Sequence, residues 1–337
     1  MSVGDRDHGA QLTSATAEVT LRLNAVIVAV SQATPRLLTV PHRDHLPALP
    51  YGLLRDDDRT FTAGLRRWVG EQTGLQLGYV EQLYTFGDVG RERGETARAL
   101  SVAYLALVRE VPARHAARWI DWYDLLPWED WRDGRPEIID RHLIPALRTW
   151  VSATDDPAQR RLRTERVSIV FGLDPAWDAV RVLDRYELLW EAGVVPEAMR
   201  DRSGGALPDG GAGAAHPGGP VGAGDARWRG RPLALDHRRI AATALGRLRG
   251  KLTYRPLVFE LLPPTFTLRA LQRVVEALSG VSLHTQNFRR LVERGGFVEG
   301  TVEIDVQTGG RPAELFRFRP EVQRERPRPG LGIPWRS

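Results

Sequence analysis

The pattern of apolar and polar positions predicts a group of strands with one helix among them. Residues 19–40 first alternate and then run apolar, in VTLRLNAVIVAV and RLLTV, with the polar SQATPR between the two runs. This pattern predicts a β-hairpin or two neighbouring strands. Two more strand-like runs, 79–86 and 99–108, flank a polar loop, and between the two groups apolar residues recur at helical spacing over 60–73, up to Gly74. A helix among strands in a domain of about 130 residues predicts an α/β or α+β fold.

The second half of the chain predicts helices on both sides of a Gly-rich segment. The region 160–200 has a helical pattern, and 203–226 then consists mainly of Gly, Ala and Pro with almost no large apolar residue. Such a segment cannot offset its own ordering entropy, so we predict a flexible linker there. We therefore expect five regions: a first domain over 19–150, a helical connector over 158–200, a linker over 201–230, a second domain over 231–320 and a Pro/Arg-rich tail over 321–337.

The second domain has the element order of a winged helix-turn-helix. Helical patterns over 237–249, 268–278 and 284–294 are followed by two strand patterns, FVEGTVEI and AELFRFR. In a winged helix-turn-helix, the second helix of the pair enters the major groove of DNA and the hairpin forms the wing. We therefore predict double-stranded DNA as a partner.

Side-chain directions on the last helix agree with that assignment. A helical wheel of 284–294 places Phe288, Leu291 and Val292 on the inner side. The outer side carries Gln286, Arg289, Arg290 and Glu293. Gln and Arg can bind the edges of adenine and guanine bidentately. The alternative is that these arginines form an ordinary solvated helix face, and Glu293 counts against DNA contact on its part of that face.

The strand pair and the charge distribution point to the same partner. Arg317 and Arg319 alternate with phenylalanines in the second strand, and Arg311 lies in the turn GGRP, where a guanidinium could enter a narrow minor groove. The net charge of the chain is only +5, but residues 231–337 hold 19 basic and 10 acidic residues. The basic charge therefore belongs to the second domain, as expected for an anionic partner.

Composition excludes several classes of site. The chain has no cysteine, so disulfides, thiolate zinc sites and cysteine nucleophiles are excluded. The first residues lack the apolar core of a signal peptide, and the most apolar run, 25–30, is far too short to span a membrane. We expect a cytoplasmic protein with no membrane contact. His42 and His45 have only Asp44 as a further nearby ligand, so we expect no metal there.

The second domain also resembles a known family. The segments DHRRIAATALGRLRGKLTYRPLVFELLPPTFTLRALQRVVEAL, NFRRLV and GRPAELFRF are similar to the winged-helix domain of the Nudix-related transcriptional regulators known as NrtR. The resemblance covers 236–319. It implies that Asn287, Arg289 and Arg290 belong to the recognition helix and Arg311 to the wing. We also predict a homodimer that acts on a two-fold DNA operator.

The same family carries an N-terminal Nudix-like domain, and 19–150 resembles one. ALPYG stands where Nudix proteins have a Leu-Pro-Gly-Gly turn, VEQLYTFGD and SVAYLALV are similar to strands of these regulators, and WYDLLP resembles the motif after the sheet. The fold expected from the resemblance is a Nudix α/β (α+β) domain followed by a winged helix-turn-helix.

The Nudix box is degenerate in this chain. The box places three glutamates at i, i+3 and i+4 on one helix face, where they hold divalent metal against a pyrophosphate. Anchored on Arg67, those positions are Trp68, Glu71 and Gln72. Because one carboxylate cannot form the metal clamp of phosphoryl chemistry, we expect no catalytic residues, no bound metal and no resident cofactor. The cluster 56–58 holds three aspartates, but a polar loop is the favoured interpretation.

A pocket without catalytic acids can still bind a ligand. The resemblance implies an effector such as ADP-ribose or a related nucleotide sugar derived from NAD. Tyr51, Tyr84 and Phe86 are candidates for stacking on its base, and Arg43 is a candidate for its phosphates. Each of these four residues could instead be structural. The four tryptophans in RWIDWYDLLPWEDW could form a ligand or dimer surface, but core packing is favoured.

Two other functions stay open at this point. The protein could be an active Nudix hydrolase of nucleoside diphosphate derivatives that carries an accessory basic domain. It could also be an RNA-binding adaptor, because a winged helix alone does not identify the nucleic acid.

Overall fold

The structure is a computed structural model of the 337-residue chain. It describes residues 19–87, 98–174, 176–202, 226–253, 255–305 and 312–321. Most of the predicted linker, 203–225, and the tail from 322 onward lie outside the described residues, as does Arg311. The limits of the five regions therefore stay a prediction.

The first part of the chain forms a seven-stranded mixed sheet. Its strands are β1 (Val19–Ser31), β2 (Thr34–Pro41), β3 (Pro47–Ala48), β4 (Tyr51–Leu53), β5 (Tyr79–Phe86), β6 (Arg98–Leu107) and β7 (Arg118–Asp121). The main path runs β3-β2-β1-β6-β5, with β4 paired to β1 and β7 paired to β2. The central pair β1–β6 is parallel, and the other pairs are antiparallel. The predicted hairpin of β1 and β2 and the two later strands are confirmed.

One face of this sheet is covered by helix α1 (Phe61–Thr73). The Thr60 side chain accepts a hydrogen bond from the backbone N–H of Ala63 and caps the N-terminus of the helix, and Gly74 ends the helix in the left-handed conformation at φ 71°. Leu65 and Val69 are buried against the odd-numbered apolar residues of β1, such as Leu23. The helix predicted from the periodicity is therefore confirmed, and it packs as an amphipathic layer.

A series of helices follows the sheet in the chain. After α2 (Trp122–Leu125) come a 3₁₀ turn (Pro127–Glu129), a π-turn (Ile139–Leu143), α3 (Ile144–Ser152), α4 (Pro157–Val170), α5 (Val182–Glu191) and α6 (Pro196–Arg202). Trp122 and Trp128 are fully buried, which confirms core packing for these two tryptophans. Among the described ranges, no helix is both long and apolar enough to cross a bilayer.

The last part of the chain has the predicted winged-helix order. A 3₁₀ turn (Ala226–Arg229) precedes α7 (His237–Leu252), and a second one (Leu257–Leu261) precedes β8 (Thr265–Phe266). The helix pair is α8 (Leu268–Ser279) and α9 (Thr285–Gly295), and the strands β9 (Val298–Asp305) and β10 (Ala313–Phe318) follow. These strands form an antiparallel sheet in the order β8-β10-β9.

The two parts of the chain share one hydrophobic core. A single buried cluster joins Val26 and Leu105 of the first sheet to Leu245 of α7 and Leu278 of α8. Helix α7 contacts β1 and β5, and α8 contacts β1 and β2. The winged helix is therefore packed directly on the first sheet.

Candidate functional sites

Helix α1 carries Trp68 at the predicted position of the first Nudix-box glutamate. The Trp68 ring lies against Gly52 of β4, so closely that a Cβ at Gly52 would stand 2.0 Å from the ring carbon Cε2. Trp68 Nε1 donates to the carbonyl of Leu53 at 2.7 Å. The guanidiniums of Arg55 and Arg67 lie 4.8 and 4.9 Å from the ring centroid. The indole thus occupies the space between α1 and β4.

The side chains at the other two predicted box positions, Gln72 and Glu71, also contact neighbouring groups of the protein. Gln72 Nε2 donates to the carbonyl of Tyr51 at 2.7 Å, and Gln72 Oε1 accepts from the Tyr51 N–H at 3.1 Å. Glu71 lies 3.5 Å from Arg55 and 3.6 Å from Arg67, and its side chain is 45% exposed. The side chains at all three predicted box positions therefore contact neighbouring groups.

Asp58 is part of this network. It accepts two hydrogen bonds from Arg67, at 3.0 and 2.6 Å, and one from the backbone N–H of Arg55 at 2.9 Å. The hydrogen bond from Arg67 is the main reason why the pKa of the Asp58 carboxyl lies below its usual range. Within the residues that the structure describes, no three His, Asp or Glu side chains are grouped to hold a metal ion.

The other face of the sheet brings three of the four predicted ligand residues together. The strand register places Tyr51, Asn24, Ala103 and Tyr84 side by side on β4, β1, β6 and β5. Directly opposed residues in paired strands point to the same face. The next row holds Leu53, Arg22, Ser101 and Phe86. Tyr84 is 59% exposed, Phe86 is buried, and their rings are 5.3 Å apart.

The first turn of α7 covers these rows. His237 Nδ1 accepts a hydrogen bond from the backbone N–H of Leu49 at 3.0 Å, and its ring meets the Tyr51 ring edge-on at 5.2 Å. Arg239 lies 5.3 Å from the centroid of Phe86. His237 is fully buried, and this burial lowers its pKa to about 3. The imidazole is therefore neutral, as its acceptor role toward Leu49 requires.

Polar atoms beneath α7 are left without partners. Asn24 and His237 are both 0% exposed. Within the described part of the chain, both amide atoms of Asn24 and Nε2 of His237 have no hydrogen-bond partner. The sequence reasoning missed both residues, although an asparagine that interrupts the apolar run of β1 is a visible signal.

Arg43 follows His42, whose ring centroid lies 6.0 Å from that of Tyr51. It is exposed in the turn between β2 and β3. Beside it, His42 Nδ1 is 2.6 Å from Asp44 Oδ1, a local contact within one turn. Arg43 stays a predicted phosphate partner.

A buried ionic cluster joins the first domain, the connector and the winged helix. Glu129 is 0% exposed and accepts hydrogen bonds from Arg185 of α5, at 2.6 and 2.9 Å, and from Arg249 of α7, at 2.6 Å. Arg249 also donates to the carbonyl of Glu129 at 2.8 Å. Tyr123 donates its hydroxyl to the carbonyl of Ala277 on α8 at 2.7 Å. We refer to Glu129, Arg185 and Arg249 as the Glu129 cluster.

Helix α9, the predicted recognition helix, has the orientation that the wheel predicted. Phe288 and Val292 are buried, and Leu291 is half-buried. The outer residues Gln286, Asn287, Arg289 and Arg290 are all exposed, as is Glu293. A continuous polar surface with two guanidiniums and two amides is therefore available on α9.

The wing arginines differ in their surroundings. Arg317 is exposed and donates to Glu299 on the neighbouring strand at 2.5 Å. Arg319 is half-buried, and its Nη1 donates to the carbonyl of Gly296 at 3.2 Å. Arg319 therefore holds the end of α9 against the wing, and a DNA contact by either arginine stays a prediction.

Comparison with known proteins identifies the fold. Residues 258–318 match the NrtR DNA-binding winged helix domain. Over 86 residues the chain is 41% identical to the ADPR responsive transcriptional repressor NtrR of Acinetobacter baylyi, a match that covers 26% of this chain and 34% of that protein. The matched stretch is thus about a third of the length of that relative.

Two solved structures are similar over nearly the whole chain. The crystal structure of Shewanella oneidensis NrtR in complex with a 27mer DNA is 19% identical, with a TM-score of 0.52, and the match covers 90% of this chain and 94% of that one. A MutT/nudix family protein from Enterococcus faecalis is 15% identical, with a TM-score of 0.50 and coverages of 95% and 90%. A Nudix-type domain followed by a winged helix is therefore the fold of this chain.

Proposed function

We propose that this protein, whose C-terminal domain is an NrtR winged helix and whose chain has the NrtR fold throughout, is a DNA-binding transcriptional repressor. The observation that carries the proposal is the exposed polar face of α9, with Gln286, Asn287, Arg289 and Arg290 directed away from the core. A helix presented in this way fits the major groove, where Arg and Asn or Gln read base edges. The similarity to an ADPR responsive repressor supports the same conclusion.

The first domain is then the sensor of a small effector. We infer ADP-ribose or a related nucleotide sugar, because the relative is ADPR responsive and the sheet face beneath α7 carries aromatic and polar residues. Effector binding would change how α7 is seated on the first sheet, and α7 packs on α8 of the winged helix. We expect the effector to weaken DNA binding and so to relieve repression.

The degenerate box favours binding without hydrolysis. Trp68 and Gln72 replace two metal-binding glutamates, and their side chains donate hydrogen bonds to the carbonyls of Leu53 and Tyr51. With Glu71 as the single acid, the helix has too few ligands for the metal clamp of pyrophosphate cleavage. Mg²⁺-dependent release of AMP from ADP-ribose by the purified protein would contradict this assignment and restore the hydrolase alternative.

A dimer completes the proposal. Two copies would present two recognition helices to half-sites about one helical turn apart, and both half-sites must be met together for tight binding. Sedimentation of the full chain with a two-fold operator should give two protein copies per duplex. One copy per duplex would contradict it.

The direct test is an anisotropy titration with DNA from upstream of the protein's own gene. The wild type should bind this duplex in preference to a scrambled duplex and to duplex RNA at moderate salt. Arg289→Ala and Arg290→Ala should each weaken binding by roughly 5- to 100-fold, which corresponds to about 1–3 kcal/mol for a base contact. Arg161→Ala, on the exposed surface of α4, is the matched control and should bind like the wild type.

Two outcomes would overturn the assignment. Binding that does not depend on the DNA sequence would exclude an operator-specific repressor. Preference for RNA over DNA would instead favour the RNA-binding adaptor.

A further inference from the structure

The outer strand of the wing exposes apolar side chains. Strand β9 lies at the edge of the described three-stranded sheet, in the order β8-β10-β9. Its Val302 is fully exposed, and Ile304, two positions further along the strand, is 60% exposed. An exposed apolar edge strand is a template for pairing with another segment of polypeptide, and proteins usually cover or charge such an edge. The edge of β9 therefore has the character of a docking surface.

The charge of the wing limits what can dock there. Strands β9 and β10 together hold one basic residue, Arg317, and four acidic residues: Glu299, Glu303, Asp305 and Glu314. Arg317 is paired with Glu299, whereas Glu314 lies directly opposite Ile304 and so shares its face of the sheet. Acidic side chains repel DNA phosphates and also a second copy of the same strand. A segment that is both basic and apolar fits this surface.

The tail of this chain has that composition. Residues 322–337 read VQRERPRPGLGIPWRS, with four arginines and one glutamate. Large apolar residues recur at every second position, at Leu331, Ile333 and Trp335. In an extended segment such residues share one side, and the proline between the last two is compatible with an edge position. The tail therefore combines positive charge with an apolar stripe of the same period as Val302 and Ile304.

We propose that the tail docks on the exposed side of β9 in the same chain. The stripe of Leu331, Ile333 and Trp335 would cover Val302 and Ile304, and the arginines of the tail would lie beside the acids of the wing. This inference goes beyond the proposed function and does not depend on it. It concerns a contact within the chain, whatever nucleic acid or effector the protein binds.

The point where the tail begins allows this contact. Phe318 pairs with Val298 at the start of β9, and the Arg319 N–H donates to the carbonyl of Phe297 at 2.9 Å. At about 3.3 Å per residue, β9 rises by about 20 Å from Val298 to Ile304. The chain from Arg319 to Leu331 spans up to about 40 Å when it is extended. The apolar stripe can therefore reach Ile304 from the base of the wing.

Because the chain has no cysteine, the contact can be tested by site-specific cross-linking. Ile304→Cys is combined with Ile333→Cys in the full chain. Disulfide formation in a glutathione redox buffer is then followed by non-reducing electrophoresis and thiol titration. Docking brings the two side chains into the short range that a disulfide requires. The matched control combines Ile333→Cys with Glu293→Cys, an exposed position in the last turn of α9.

This control separates docking from simple tethering. Glu293 lies three residues before Gly296, whose carbonyl accepts from Arg319, so it is nearer than Ile304 to the start of the tail. A tail that is only tethered should cross-link at least as fast at position 293, because effective concentration falls with the span. A docked tail should cross-link about ten-fold faster at position 304, which corresponds to about 1.4 kcal/mol. Equal rates, or a faster reaction at position 293, would overturn the proposal.

The cross-linked product identifies the occupant of the wing. We expect a disulfide within one chain, which leaves the protein a monomer on a denaturing gel. A covalent dimer would show that the tail of a second copy occupies β9, and would overturn the contact within the chain.

Charge reversal tests why the tail binds. Adding Glu303→Arg and Glu314→Arg to the Ile304→Cys/Ile333→Cys protein should slow cross-linking by roughly three- to ten-fold at low salt. The effect should nearly vanish at about 1 M salt, where the Debye length falls to about 3 Å. Cross-linking that is unchanged by the reversal at low salt would overturn the electrostatic match. Positions 293, 303, 304 and 314 are all exposed, so the reduced variants should unfold at the wild-type temperature.

Discussion

Polar side chains on the two faces of the first sheet differ in whether they have hydrogen-bond partners. On the α1 face, Trp68 and Gln72 are bound to the backbone of β4, and Glu71 lies between two guanidiniums. On the α7 face, the amide of Asn24 and Nε2 of His237 are buried without partners among the described residues. On the α1 face, the polar side chains at the predicted box positions contact other groups of the protein. On the α7 face, buried polar atoms lack hydrogen-bond partners among the described residues.

The difference lies in what covers each face. Trp68 and Gln72, the predicted replacements of two Nudix-box glutamates, each donate a hydrogen bond to a carbonyl of β4. The face under α7 is closed by a helix from the other domain. We therefore expect a ligand on the α7 face to disturb α7 and, through it, α8, which packs on α7.

The largest expected effect is a loss of stability on substitution of the buried Glu129, which is compared with substitution of the exposed Glu71. Glu129→Gln would leave the buried Arg185 and Arg249 without a compensating charge, because all three side chains are at most 1% exposed. Breaking a buried ion pair by changing one partner costs about 3–5 kcal/mol. We expect that loss in the free energy of unfolding, measured by denaturant titration of the full chain.

Glu71→Gln is the matched control for that prediction. Glu71 also meets two guanidiniums, but at 3.5 and 3.6 Å and with nearly half of its side chain exposed. Exposed pairs contribute about 0–1 kcal/mol. Equal losses in the two variants would contradict the assignment of the Glu129 cluster as the junction of the domains.

The elements of the fold could be predicted from the sequence because their signals are local. The alternation in β1, the periodicity of α1 with its Thr60 and Gly74 caps, and the inward face of α9 all arise within a few residues. The packing of the winged helix on the first sheet has no such signal. It depends on pairs such as Glu129 with Arg249, which are 120 positions apart.

The candidate site was predictable only in part for the same reason. Tyr51, Tyr84 and Phe86 could be singled out as aromatic residues on strands, and the register then brings them to one face. His237 could not be connected with them, because its contact with Leu49 spans 188 positions. Gln72 could be recognised as a lost ligand, but its hydrogen bonds to Tyr51 required the geometry of β4 against α1.

A second prediction probes how completely the α1 face is filled. Gly52→Ala would place a methyl group within 2.0 Å of the Trp68 ring, so the ring or the strand must shift. Overpacking of this kind costs about 1–3 kcal/mol. In a Trp68→Ala background the space is open, and the same substitution should cost nothing. Unfolding free energies of the four proteins form a double-mutant cycle, and additive effects would show that the indole does not fill the former metal region.

The smallest expected effect is the pH dependence of stability that the buried His237 causes on the α7 face. The folded-state pKa of His237, about 3, lies below the value of about 6.5 that a histidine has in an unfolded chain. Between these values the unfolded state binds the proton and the folded state does not, so stability is full above pH 6.5 and falls as the pH is lowered toward 3. One pH unit below 6.5, the free energy of unfolding is lower by about 1.4 kcal/mol.

His237→Asn keeps an acceptor for the Leu49 N–H without a titrating group. The wild type should therefore lose about 1.4 kcal/mol more than His237→Asn between pH 8 and pH 5.5, and parallel pH profiles would show that the imidazole is not held neutral against the sheet.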